Sequence, residues 1–211
     1  MLRLTPVVKN LIIINVLVYL FQMLAPDKNF GYCVGRDLGV DVITGYLSIW
    51  DPHTSCFKPY QLFTYMFVHS PSGFMHIFFN MLTLVFMGPM LENFWGQKKF
   101  LLFYIVCGIG AGIFSVVMSQ FFDLGTFGIM MGASGAIYGL LMGFGMQFPN
   151  MEIQLLIPPI PIKAKYLVFL LGGMTFLMDR SGGVAHFAHL GGIIFAFIMI
   201  RLWKSQGGGY Y

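Results

Sequence analysis

The chain has 211 residues, of which 57% are hydrophobic and only 9% charged, against roughly 45–50% and about 25% in soluble globular domains. A surface with so few charges does not stay in water, so most of the chain requires lipid as its solvent. The net charge of +4 comes from Lys and Arg placed singly or in pairs, without the basic stripe that a nucleic-acid partner demands.

The first apolar run covers 7–24 and has only Arg3 and Lys9 about its start. It is followed by Ala25-Pro26-Asp27-Lys28 rather than a small-residue cleavage pattern, so a retained transmembrane helix is expected rather than a signal peptide. Further apolar runs follow at 73–91, 100–122, 132–148, 164–178 and 184–203. Each supplies about the 17–25 helical residues that a bilayer core of roughly 30 Å requires, the fifth being the shortest. None shows the alternation of a β-barrel strand. The expected fold class is an all-α membrane protein, a bundle of six transmembrane helices forming a single domain over 1–211.

The charges predict its orientation. With the N-terminus cytoplasmic, Arg3, Lys9, Lys98, Lys99, Lys163, Lys165, Arg201 and Lys204 face inward, and Lys28, Arg36, Lys58 and Arg180 outward. The Lys/Arg excess therefore predicts both termini inside. The long segment 25–72 between the first two helices is then an external loop. It holds Tyr32, Tyr46, Trp50, Phe57, Tyr60 and Phe63, aromatic rings suited to the headgroup level. Short amphipathic elements lying in the interface are expected there. Cys33 and Cys56 share this loop, and their spacing leaves open whether they are bridged. Cys107, in the third span, reads as a small buried hydrophobe.

Polar side chains inside a membrane are costly and mark candidate sites. His76 and Asn80 fall in the second span, Ser134 and Tyr138 at the head of the fourth, and His186 and His189 in the sixth. Apart from Glu92, at the end of the second span, no carboxylate falls in any span. Ser134 sits in Gly132-Ala133-Ser134-Gly135, where a glycine-rich loop becomes an apolar run. Gly132 allows a tight turn, and a helix N-terminus offers unpaired N–H groups to a developing oxyanion. A serine becomes nucleophilic only beside a base, most often histidine.

Gly135, Gly139 and Gly143 form a small-residue ridge, and Ala185, His189, Gly192 and Ala196 lie along one face of the last helix. Such faces let transmembrane backbones approach closely. Tyr138, one turn after Ser134, is placed to pack on the imidazole. His76 and Asn80, spaced i, i+4, share one helix face and can donate side-chain hydrogen bonds. Taken singly, the serine reads as a helix cap, each histidine as a packing hydrogen-bonder and the ridge as a packing face. Their conjunction in one layer points to chemistry.

On these residues the chain resembles the rhomboid family over nearly its whole length. The matching motifs are Gly132-Ala133-Ser134-Gly135 with Tyr138, Ala188-His189-Leu190-Gly191-Gly192, His76-Ile77-Phe78-Phe79-Asn80, and the Glu92-x-x-x-Gly96 turn. The resemblance implies an intramembrane serine endopeptidase with Ser134 as nucleophile and His189 as base. It also implies an oxyanion hole from His76, Asn80 and the Ser134 backbone N–H, with Gly132, Gly135, Tyr138 and Gly192 in support. It selects His189 over His186. Asp179, the nearest acid, lies in the loop before the last helix, so a dyad is expected rather than a triad. The family's loop-one Trp-Arg pair stands here as Tyr60-Gln61, which puts in question any loop function that depends on the arginine.

No cofactor is expected, and no metal, since His-Glu-x-x-His is missing and His186 with His189 cannot complete a zinc site. The expected partners are transmembrane protein substrates and the lipid bilayer, and the expected location is the bacterial inner membrane. The alternative is a catalytically inactive rhomboid-like protein that binds or escorts membrane clients.

Overall fold

A computed structural model describes residues 3–35, 37–71, 73–122, 128–154, 159–178 and 183–205. Helix α1 (Pro6–Leu24) begins on a proline, whose missing N–H costs nothing in a first turn. It leads into a segment that is folded throughout its described part. Strands β1 (Asp27–Asn29) and β2 (Gly39–Asp41) pair antiparallel around a 3-10 turn, Gly31–Cys33. Helix α2 (Val42–Leu47) is capped by the Asp41 carboxylate, which accepts from the Thr44 N–H at 2.8 Å. Helix α3 (Gln61–Thr64) and a 3-10 turn, Tyr65–Phe67, complete the segment.

The remaining helices are α4 (Phe74–Trp95), α5 (Gln97–Phe121), α6 (Ser134–Gln147), α7 (Ala164–Met178) and α8 (Gly183–Ser205). A hairpin of β3 (Glu152–Gln154) and β4 (Pro161–Lys163) connects α6 to α7. Helices α1, α4 and α5 and the His186–Ser205 part of α8 are long and apolar enough to cross a membrane. Helices α6 and α7 have 14 and 15 residues. At 1.5 Å per residue that is about 21–23 Å, short of a bilayer core of roughly 30 Å. The chain is an all-α membrane bundle in which the short α6 is central.

Helix α6 is buried on nearly every side and packs against α4, α5, α7 and α8. A helix apolar all round is a core element. Its glycines set the approach, but the ridge does not face α8 alone. A Cβ on Gly135 would lie 2.5 Å from Ala111 Cβ, and one on Gly139 2.6 Å from Cys107 Cβ. One on Gly143 would meet Phe103 at 2.8 Å. All three neighbours belong to α5. The contact with α8 is made by Gly192, where a Cβ would collide with the Gly135 carbonyl. The i, i+4, i+8 repeat thus admits α5 along its whole length, and α8 shares it at Gly135 and at Gly139, where a Cβ would lie 3.1 Å from the Gly192 carbonyl.

The segment between α1 and α4 has its own small core of Phe30, Cys33 and Trp50. Cys33 and Cys56 are disulfide-bonded with Cα atoms 5.8 Å apart, which answers the question the spacing left open. Gln61 is only 1% exposed. Its amide donates to the Tyr46 and Cys56 carbonyls at 3.2 and 3.1 Å and accepts from the Lys58 N–H at 3.0 Å. At this position a neutral amide ties the segment together through backbone groups.

At the opposite end of the bundle, Glu92 of α4 is buried and caps α1. Its carboxylate accepts from Thr5 Oγ1 at 2.5 Å and from the N–H groups of Val7 and Val8 at 3.1 and 3.0 Å. The negative charge sits where the helix dipole favours it. Glu92→Ala is expected to lower the free energy of unfolding in detergent by about 2–4 kcal/mol. Glu92→Gln keeps one acceptor and should lose roughly half as much. Thermal or SDS unfolding of the two variants beside wild type measures both.

Candidate active site

Helix α6 starts at Ser134 because the preceding loop is tied away from helical geometry. Met130 exchanges both backbone hydrogen bonds with Ile49 at 2.9 Å, and the Gly132 N–H donates to the Tyr65 carbonyl at 2.9 Å. Gly132 has φ +122°, a conformation reserved for glycine. A Cβ there would also meet the His76 ring, 2.7 Å from Cε1 and 2.9 Å from Nε2, with Ser134 Oγ 3.8 Å away. His76, Gly132 and the Ser134 hydroxyl therefore converge on one point.

His189 Nε2 lies 3.0 Å from Ser134 Oγ. The Tyr138 ring stacks on the His189 imidazole at 4.2 Å between centroids and 20° between planes. Its hydroxyl donates to the Leu171 carbonyl of α7 at 3.1 Å. The imidazole is thus held between its hydroxyl partner and an aromatic face. His186, one turn earlier on α8, is half-buried, but the nitrogen at Ser134 belongs to His189. Asp179 lies outside the described residues.

Asn80 is buried one turn after His76. Its Nδ2 is 3.2 Å from Nε2 of His69, a residue that the sequence reading did not single out. His69 is fully buried and its ring lies 5.3 Å from that of His76. The Ala133 N–H is directed at the same Nε2 from 3.5 Å. The His69 backbone is clamped by Gln22 of α1, which donates to its carbonyl at 2.8 Å and accepts from its N–H at 3.1 Å. Gln22 also donates to Thr44 Oγ1 at 2.7 Å. Both residues were missed because His69 lies outside the apolar runs and Gln22 at the end of one. The signal available was two polar residues bordering spans.

These features define a multi-helix membrane protein with a hydroxyl–imidazole pair at the head of its central helix. Residues 57–205 match the Rhomboid domain family. The chain belongs to the rhomboid family. It is similar to Rhomboid protease AarA of Providencia stuartii, 32% identical over 151 residues that cover 61% of this chain and 50% of that protein. With Putative rhomboid protease YdcA of Bacillus subtilis it is 28% identical over 207 residues, 95% of this chain and 92% of the relative. RHOMBOID-like protein 1 of Arabidopsis thaliana is 29% identical over 151 residues, and the chain spans only 36% of its length.

Burial, reinforced by the facing His76 ring, pushes the His69 pKa from 6.5 down to about 3, the Phe67 carbonyl acting in the opposite sense. An unfolded chain takes up a proton at position 69 below about pH 6.5, whereas the folded ring stays neutral to about pH 3. The native state therefore loses stability relative to the unfolded chain as pH falls through that window. His69→Gln is expected to flatten this acid decline of the thermal midpoint. Equal slopes in the two proteins would show that burial does not keep the ring neutral.

Proposed function

We propose that this protein is an intramembrane serine endopeptidase working by a Ser134–His189 dyad. The observation that carries the reading is the 3.0 Å approach of His189 Nε2 to Ser134 Oγ at a helix start overhung by His76. In this mechanism His189 Nε2 takes the Ser134 proton as Oγ attacks a peptide carbonyl, and the electron pair of the C=O moves onto oxygen. The oxyanion is received by His76, Asn80 and the Ser134 N–H, one of the unpaired amides of the first turn of α6. Collapse expels the amine, which takes the proton from His189 and leaves an acyl-serine. His189 then removes a proton from water as its oxygen attacks the ester carbonyl, and collapse breaks the C–Oγ bond, with His189 returning the proton to Ser134 Oγ as the acid product leaves. Stacking by Tyr138 keeps the ring in register for both transfers.

Membership of the rhomboid family, together with relatives named as rhomboid proteases, supports transmembrane segments as substrates. The charge bias supports cytoplasmic termini and, with them, cleavage near the outer face of the membrane. Gly132, Gly135 and Gly192 support the dyad by admitting the close approaches on which it rests.

The test uses the purified chain in detergent with a transmembrane peptide substrate and a fluorophosphonate probe. Wild type should cleave and be labelled, while Ser134→Ala and His189→Ala should each lose at least about 10³-fold in cleavage rate. Cleavage that survives in Ser134→Ala defeats the reading, as does a wild type that neither cleaves nor labels. Gly132→Ala, which drives a methyl group into the His76 ring, should remove at least about 100-fold of the cleavage rate while leaving the helical circular dichroism intact. Full activity in Gly132→Ala would contradict the place given to His76.

A further inference from the structure

His69 is a fully buried titratable group that the dyad mechanism leaves unused, and its surroundings define its chemical state. The Ala133 backbone can only donate, and its N–H is directed at His69 Nε2. At 3.5 Å the bond is long, but an N–H on the imidazole at that place would face another N–H. Nε2 is therefore an acceptor, and a neutral ring must carry its proton on Nδ1. The same choice orients Asn80. The atom 3.2 Å from Nε2 is the Asn80 amide nitrogen, since its carbonyl oxygen would meet a lone pair there. One amide hydrogen is used on His69. The second remains for a ligand, and it comes from the residue one helical turn beyond His76.

We propose that His69, as its neutral Nδ1–H tautomer, is a positioning residue for the oxyanion hole, its Nε2 fixing the Asn80 amide and the Ala133 N–H that precedes Ser134. This rests on the dyad reading above. His69 touches neither Ser134 nor His189 by hydrogen bond, so it acts through Asn80 and the loop. Its own placement comes from α1, through the Gln22 amide, which donates to the His69 carbonyl and accepts from the His69 N–H. Burial and the facing His76 ring, which lower the His69 pKa, keep the ring neutral as this geometry requires. Glutamine reaches about as far as Nε2 and offers an amide oxygen there without titrating. Leucine fills the space and offers nothing.

The experiment measures steady-state cleavage of a transmembrane peptide by the full chain in wild type, His69→Leu, His69→Gln, Asn80→Ala and the double variant His69→Leu/Asn80→Ala. His69→Leu should lower kcat about 10- to 100-fold with KM little changed, as expected for a group acting only in the transition state. His69→Gln should recover most of that loss. In the Asn80→Ala background the leucine substitution should cost less than about threefold, because coupled residues are not additive. Equal losses in both backgrounds, or a glutamine variant as impaired as leucine, overturn the proposal. Should His69→Leu fail to fold, 15N NMR of the wild-type imidazoles decides instead: an Nδ1–H pattern for His69 upholds the proposal and an Nε2–H pattern overturns it. Ser134→Ala run alongside keeps the two readings separate. Activity in that variant defeats the dyad itself, whereas an inactive Ser134→Ala with additive His69 effects defeats only the positioning role.

Discussion

Two helices from distant parts of the chain can share a proton only if their backbones nearly touch, and in this bundle they touch where Gly192 of α8 meets the Gly135 carbonyl of α6. Imidazole and hydroxymethyl are short side chains, so any Cβ inserted at Gly192 separates His189 from Ser134. Apolar burial gives little drive for helix association within lipid, where close packing and interhelical hydrogen bonds must serve. The glycines that bring α6 against α5 and α8 therefore supply both the packing of the bundle and the geometry of the pair. Tyr138 closes the arrangement from the α7 side by stacking on the ring and donating to Leu171.

The second requirement is polar satisfaction. Gln22, His69, Asn80 and the Ala133 N–H lie in a region with little water to pair them, and they pair with one another. A chain of hydrogen bonds thus runs from the end of α1, through the segment before α4, to the loop that opens α6. The loop before Ser134 is therefore held by the His69 side chain as well as by its backbone bonds to Ile49 and Tyr65. This explains how a helix that starts inside the bundle, after a loop with a positive-φ glycine, is kept in one conformation.

The helical membrane fold was legible because span length and hydropathy are properties of contiguous residues, and so were Ser134, His189, His76 and Asn80 as a group, because polar residues stand out in apolar runs. Two things were not. His69 lies outside the spans in sequence but is fully buried in space, and a filter for polar residues within apolar runs passes over it. The glycine ridge of α6 was legible as a close-packing face, but a one-dimensional pattern does not say which helix it receives. Two helices share it, with α5 taking the greater length. The cysteine pair shows the same limit, since sequence spacing is silent about the Cα separation that permits a bridge.

The replacement of the family's arginine by Gln61 follows the same logic. The position is buried at 1% exposure, and a guanidinium there would need its charge compensated as well as its hydrogen bonds made. Among the described residues, Gln61 meets two carbonyls and one N–H, a set that a neutral amide satisfies through one donor nitrogen and one acceptor oxygen. The covalent tie between Cys33 and Cys56 joins the start of this segment to the strand of chain whose Cys56 carbonyl Gln61 holds. Gln61 thus ties this part of the chain together without a buried charge. A disulfide and a neutral amide clamp brace the same segment that carries His69 and the Tyr65 carbonyl to the loop before Ser134.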